Sequence, residues 1–145
     1  MKKVALIACC SQKLDKKAKV KDIYISPLFK KSLKYATLIA AETVYILSAQ
    51  HGLLELDMEI EPYNKTLNDM KSKEKLQWAK KVYADLLYSE DIDDTKFIFL
   101  AGKNYRQHLE MLLPYTEIPM EGLPIGKQLH FLTKEIQRLS KEVVA

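Results

Sequence analysis

The sequence predicts an α/β domain of three layers, α/β/α, built on a small, mainly parallel four-stranded sheet. Short apolar runs rich in β-branched residues alternate with longer stretches of helical periodicity, the pattern of strands joined by crossover helices. The runs are apolar almost without interruption, as strands covered on both faces are. Each run also ends in a small polar cluster, and in open parallel sheets the carboxyl ends of the strands are where ligands bind.

The first strand is Val4 to Ala8, ending at Cys9-Cys10-Ser11. Its short apolar run meets Cys-Cys-Ser-Gln-Lys instead of a small-residue cleavage site, so the segment is a strand and not a leader. A lysine-rich loop follows. Ser26 then serves as N-cap and Pro27 as first residue of a helix whose stripe of Leu28, Leu33, Ala36 and Ile39 or Ala40 runs to about Ala41. The second strand spans residues 43 to 48 and empties into Ser48-Ala49-Gln50-His51-Gly52.

Leu54 to Asn68 reads as irregular, with Pro62 holding Glu61 extended in a loop able to fold back over the strand end. A helix from Asp69 or Lys73 to Leu87 carries Leu76, Ala79, Val82 or Tyr83, and Leu86 on one side, with Trp78 off the stripe. The third strand, Lys96 to Ala101, leads to Gly102-Lys103-Asn104, where Asn104 and Gln107 form a capping-box pattern. The fourth strand, Glu117 to Met120, is confined to an edge by Pro119. Gly122 to Gly126 then opens the last helix, from about Lys127 to Val143.

At 145 residues the chain has the size of one domain, 1–145, able to form a core without metal or disulfide staples. With 48% hydrophobic and 29% charged residues, it is neither disordered nor fibrous in composition. No apolar run approaches a membrane span, so no membrane partner is expected. Cys9 and Cys10 are adjacent, a spacing that strains a disulfide, which places the chain in a reducing, cytoplasmic compartment. The net charge of +4 is unevenly spread: residues 1 to 31 hold nine lysines, and Glu55, Asp57, Glu59 and Glu61 form an acidic run. The lysines read either as a solvated face or as a surface that meets phosphates.

Parallel winding brings the strand ends to one rim. His51 is the candidate general acid/base there, against the reading of a hydrogen-bonded turn histidine. Glu61 is a second candidate, as base or as the group orienting His51, against plain loop solvation. Cys10, followed by Ser11 and Lys13, is the candidate nucleophile, because a nearby cation favours the thiolate; a small buried hydrophobe is the alternative. Tyr24 and Tyr63 are candidates for stacking on a planar ligand or for covering the core edge. Ser48 lies at the strand end. Lys103 and the amides from Gly122 to Gly126 are candidates for holding an anion. One shared pocket is expected for Cys10, Ser11, Lys13, Ser48, His51 and Glu61, with Tyr63 at its wall and Lys103 near its mouth. The usual cysteine-ligand spacing of zinc sites is absent, so no metal or other cofactor is expected.

The motifs ACCSQKL, DIYISPLF, ILSAQHGLL, EPYNKTL, AGKNY and GLPIGKQL together resemble a widespread family of small bacterial, archaeal and phage domains of unknown function, over nearly the whole chain. More distantly the arrangement is similar to the α/β core domain of archaeosine synthase and to the uracil-DNA glycosylase fold, which implies work on bases in nucleic acid. Typical uracil-DNA glycosylases carry an aspartate-containing, water-activating motif after the first strand. Here Cys9-Cys10-Ser11-Gln12-Lys13 stands in its place, so uracil excision does not carry over. Two readings follow. One is an enzyme acting on a nucleobase, nucleoside or nucleotide at the rim; the other is a non-catalytic module binding nucleic acid or a nucleotide through the lysine-rich loop. Oligomeric state is not legible in the sequence.

Overall fold

The central strand β1 (Lys2–Ala8) is the axis of the molecule. In this computed structural model, which describes residues 1–144, it is flanked on both sides by parallel strands. The short strand β2 (Ala18–Lys19) and one-turn helix α1 (Val20–Ile23) lead to α2 (Pro27–Leu38), β3 (Thr43–Ser48), β4 (Gly52–Glu55) and β5 (Glu59–Ile60). Then come α3 (Ser72–Ser89), β6 (Thr95–Leu100), α4 (Lys103–Leu112), β7 (Thr116–Glu117) and α5 (Ile125–Val144).

The main sheet has the order β4-β3-β1-β6-β7, with every pair parallel except the antiparallel β3–β4. The three-layer expectation holds, with one correction: the sheet has five strands. The added strand is β4, which starts just before the stretch expected to be irregular from Leu54 and overlaps its first two residues. Gly52, at φ +75°, closes a tight turn from Ser48, a backbone setting in which glycine escapes the Cβ clash. β7 is also earlier and shorter than the expected Glu117 to Met120, ending before Pro119.

Side chains alternate across β1, and this builds two cores. Val4 and Leu6 join Leu47, Phe97, Phe99 and the α3–α4 residues Trp78, Val82, Leu86 and Leu109. Ala5 and Ile7 face the other way, onto Phe29, Ala36 and Leu132 of α2 and α5. Each side chain of this kind stabilises by roughly 1.5–3 kcal/mol on full burial.

Three helix readings change. On α2 the buried side chains are Phe29, Ser32, Tyr35 and Ala36, a stripe rotated from the expected one, with Leu28, Leu33 and Ile39 at its margin. This helix ends at Leu38, and Ala40 takes φ +61°, the left-handed position glycine usually fills. On α3, Trp78 is buried and Leu76 exposed, because the indole N–H reaches the Ser48 carbonyl (2.9 Å). On α4 the N-cap is Gly102 with no side-chain cap, and the Asn104 amide instead links Lys75 (3.0 Å) to Asn68 (2.7 Å).

Among the described residues, no helix is long and apolar enough to cross a membrane. The lysine-rich loop does not stand apart from the acidic run. β2 pairs with β5, setting Lys17 beside Glu59 (3.9 Å) and Lys21 beside Asp57 (3.4 Å).

Candidate functional site

From β1 the chain crosses by α2 to β3 on one side, and β6 returns through α3 to the other side, so the strand order reverses at β1. A gap between the β1 and β6 carboxyl ends is the consequence, and in such sheets it is the ligand crevice. A cavity of about 280 Å³ occupies it. Its apolar walls include Ile7, Phe29, Leu100 and Met120, and its polar lining comes from Cys9, Cys10, Ser26, Asn68, Lys103, Asn104 and Gln128. A second lobe of about 200 Å³ shares Cys9, Cys10, Asn68 and Tyr105 with the first and adds Ser11, Lys13, Asn64, Lys65 and Thr66. Among the described residues, Lys13, Lys65 and Lys103 line one lobe or the other, and no Asp or Glu does.

The wall between the lobes is held from behind. Cys9 continues the sheet ladder, its N–H donating to the Leu47 carbonyl (3.0 Å), and its thiol donates to Tyr105 Oη (3.5 Å). The same phenol oxygen accepts from the Leu67 N–H and meets Thr66 Oγ1, both at 3.3 Å, tying the loop before α3 to α4. Burial first, and the Cys9 thiol second, push the Tyr105 phenol up to about 12, so it stays a neutral donor. Cys10 is the first residue past the ladder. Among the described residues its thiol has only a short-range partner, the Gln12 carbonyl (3.2 Å), and it borders both lobes. Both cysteines are free thiols.

Lys13 is held in an unusual seat for a loop lysine. The loop pairs back on the segment before α2, Leu14 N–H donating to Ile23 O (2.9 Å) and Ile25 N–H to Gln12 O (3.0 Å). The Lys13 ammonium then lies 4.4 Å from the Tyr63 ring centre and 5.8 Å from that of Tyr24. A π face attracts the cation without neutralising it.

Ser48, Tyr63 and Tyr24 form the floor behind Lys13 and do not line either lobe. Ser48 is fully buried; its hydroxyl accepts from the His51 N–H (3.0 Å) and donates to Tyr63 Oη (2.8 Å). The Tyr63 and Tyr24 hydroxyls share a further bond (2.6 Å). Burial raises both phenols well above the ordinary tyrosine range, keeping the chain of hydroxyls neutral. The expected stacking surface is therefore committed to the core and to Lys13.

The expected single pocket thus divides. Cys10, Ser11 and Lys13 share a lobe, and Cys10 and Lys103 share the other. His51 and Glu61 are exposed and line neither. The reason is the turn into β4, which carries the imidazole past the rim to rest edge-on against Tyr63 at 5.4 Å between ring centres. Partial burial, then the positive charge of Lys81, lower the His51 pKa below its usual value. Gly122, at φ +78°, and Gly126 also lie outside the lining, and their neighbours Met120, Ile125 and Gln128 take the place at the first lobe.

The candidates taken residue by residue do not include Asn64, Lys65, Thr66, Asn68, Tyr105 and Gln128, while at the same rim Cys9 reads as a small buried hydrophobe and Asn104 as a helix cap. All but Asn68 fall inside the motifs ACCSQKL, EPYNKTL, AGKNY and GLPIGKQL, so the signal lay in the motif as a block and not in its titratable members. Among the described residues, no group of three His, Cys, Asp or Glu could hold a metal ion.

Residues 4–134 match a family described as "Family of unknown function (DUF6884)". No curated protein and no solved structure matches.

Proposed function

We propose, from the premise that this chain belongs to the DUF6884 family, that it is a cytoplasmic enzyme acting on a nucleobase, nucleoside or nucleotide in the crevice between β1 and β6. One observation carries the reading. The crevice combines apolar walls, side-chain amides, a free thiol and three lysines with no carboxylate among the described residues, a lining suited to a flat, hydrogen-bonding, anionic ligand. Asn104 is bonded to Lys75 and Asn68, and Gln128 Nε2 donates to the Leu123 carbonyl (2.7 Å), which leaves Asn68 Nδ2 as a donor and Gln128 Oε1 as an acceptor for the edge of a base. The distant resemblance of the motifs to two base-handling folds points the same way.

In this reading Cys10 takes the reactive role that the sequence divided among Cys10, His51 and Glu61. Cys9 and Cys10 both border the two lobes, but the Cys9 thiol is bonded to the Tyr105 phenol, which leaves Cys10 as the nucleophile near the ligand. Tyr105 is a positioning residue, holding Cys9 and the Thr66–Leu67 loop.

The test is a thermal-shift screen against bases, nucleosides and nucleotides, followed by incubation of each hit with protein and mass analysis of the products. The expected result is at least one stabilising ligand, converted by the native protein and left intact by Cys10→Ser. Stabilisation only by polynucleotides, with no conversion, would instead favour the nucleic-acid binding module. That second reading rests on Lys16 and Lys19, since Lys17 and Lys21 face Glu59 and Asp57.

A further inference from the structure

The two lobes of the crevice differ in chemistry, and the difference specifies the ligand further than "nucleobase or nucleotide". The first is walled by Ile7, Phe29, Leu100 and Met120 and edged by amides. An apolar slot with a few convergent polar groups takes a flat heteroaromatic ring. The second has no aliphatic or Phe side chain in its lining, its apolar surface coming from the cysteines, Tyr105 and the carbon stems of polar residues. Ser11, Lys13, Asn64, Lys65 and Thr66 supply ammonium, hydroxyl and amide donors around about 200 Å³. Neither Lys13 nor Lys65 forms a salt bridge among the described residues. Lys13 is nonetheless held in place, seated 4.4 Å from the Tyr63 ring centre. Two lysines without a salt bridge in the lining of one small chamber match the two charges of a phosphate monoester. The lobes share Cys9, Cys10, Asn68 and Tyr105 in their linings, so they adjoin past the end of β1.

We infer that the substrate is a nucleoside monophosphate, with its base in the lobe beside Phe29 and Gln128 and its phosphate in the lobe of Lys13 and Lys65. The inference rests on the nucleotide reading above. It places Cys10 beside the sugar, between base and phosphate, and it assigns the second lobe a terminal phosphate instead of one that continues into a chain.

Calorimetric titration tests it with four probe sets: the common nucleoside 5′-monophosphates, the matching nucleosides, inorganic phosphate, and a dinucleotide carrying the same base. One monophosphate should bind about 100-fold more tightly than its nucleoside, the effect expected of two charge-assisted contacts. Lys13→Ala and Lys65→Ala should each remove about tenfold of that advantage while leaving nucleoside affinity unchanged. Gln128→Ala should weaken nucleoside and monophosphate by the same factor. Thermal melts of each variant separate lost binding from lost folding, and Lys65→Met, which keeps the stem, replaces any alanine variant that melts early. Equal affinity for nucleoside and monophosphate overturns the phosphate assignment and leaves the base-handling reading standing. A preference for the dinucleotide overturns the terminal phosphate. Binding of inorganic phosphate with no gain from any base, or no binding at all, overturns both readings.

Discussion

The carboxyl ends of β1 and β3 are neighbours on one rim, both follow buried apolar runs, and both end in small polar residues, Cys9-Cys10-Ser11 in one case and Ser48 in the other. Their fates differ. At β3 the polar groups are consumed: Ser48 satisfies the His51 N–H and Tyr63, Tyr63 meets Tyr24, and the Ser48 carbonyl receives the Trp78 indole. At β1 the Cys9 thiol is engaged by Tyr105 and the Lys13 ammonium rests on the Tyr63 ring, but Cys10, bonded within its own loop to the Gln12 carbonyl, and Ser11 line the second lobe. The contrast teaches that residue type at a strand end does not make a site. An antiparallel strand added beside β3 closed one end, whereas the reversal of strand order beside β1 kept the other open.

Substitutions on the sealed end should therefore cost stability, and those on the open end should not. The largest effect is expected from Trp78→Ala, which empties a buried indole site and strands the Ser48 carbonyl; chemical denaturation should show a loss of about 3–5 kcal/mol. A loss under 1 kcal/mol would mean that the β3 end is less tightly sealed than its contacts indicate.

Tyr63→Phe comes next. It leaves the buried Ser48 and Tyr24 hydroxyls short of a partner, at a cost of about 1–3 kcal/mol. The same network has a pH signature. Burial holds the folded pKa values of Tyr24 and Tyr63 above the ordinary tyrosine value of about 10, so their stabilisation is complete below pH 10 and is lost as pH rises beyond it. Denaturation at pH 9 and pH 11 should show that loss in the native protein and a smaller one in Tyr63→Phe. A parallel decline in both would refute the assignment.

On the open end, Cys10→Ala and Lys103→Ala should each change stability by no more than about 0.5 kcal/mol, as surface substitutions without buried partners do. Cys10→Ala should at the same time abolish any conversion of ligand. A melting temperature lowered as far as that of Tyr63→Phe would show that the β1 end is also structural.

The smallest effect concerns His51, on the border between the two ends. Its pKa is lowered first by burial and then by Lys81, so proton NMR titration should place it below 6.5, and Lys81→Gln should raise it only part of the way back. A return to 6.5 would make the charge, not burial, the main cause. Because the folded pKa is the lower one, any stability linked to His51 is present above pH 6.5 and lost as pH falls through the folded value.

How much of this was legible follows from range. The parallel strands were readable because Val4 to Ala8, Tyr45 to Leu47 and Phe97 to Leu100 are each apolar throughout, a requirement that burial on both faces imposes locally. Helix α2 was readable at its start, where Ser26 Oγ accepts from the Phe29 N–H (3.1 Å), and not at its end, where Ala40 sits in glycine's usual place. Strand β4 was hidden because Gly52-Leu53-Leu54-Glu55 is too short to show a period; its pairing with β3 is what makes it a strand. Trp78 was misjudged because a side chain of that size follows its hydrogen bond to Ser48, thirty residues away, and not the helical stripe.

For the site, the sequence by itself determined that polar and nucleophilic groups follow the strands, and it put Cys10, Ser11, Lys13 and Lys103 among them, because parallel winding sends every such end to one rim. Which groups stayed free only the tertiary structure decided. His51 was drawn aside by the turn into β4, Tyr24 and Tyr63 were spent on Ser48 and beneath Lys13, and Asn68, Tyr105 and Gln128 were carried in from distant segments. Hydrogen bonds and cavities depend on distances in space, and residues 96 positions apart, such as Cys9 and Tyr105, meet only after the chain has folded.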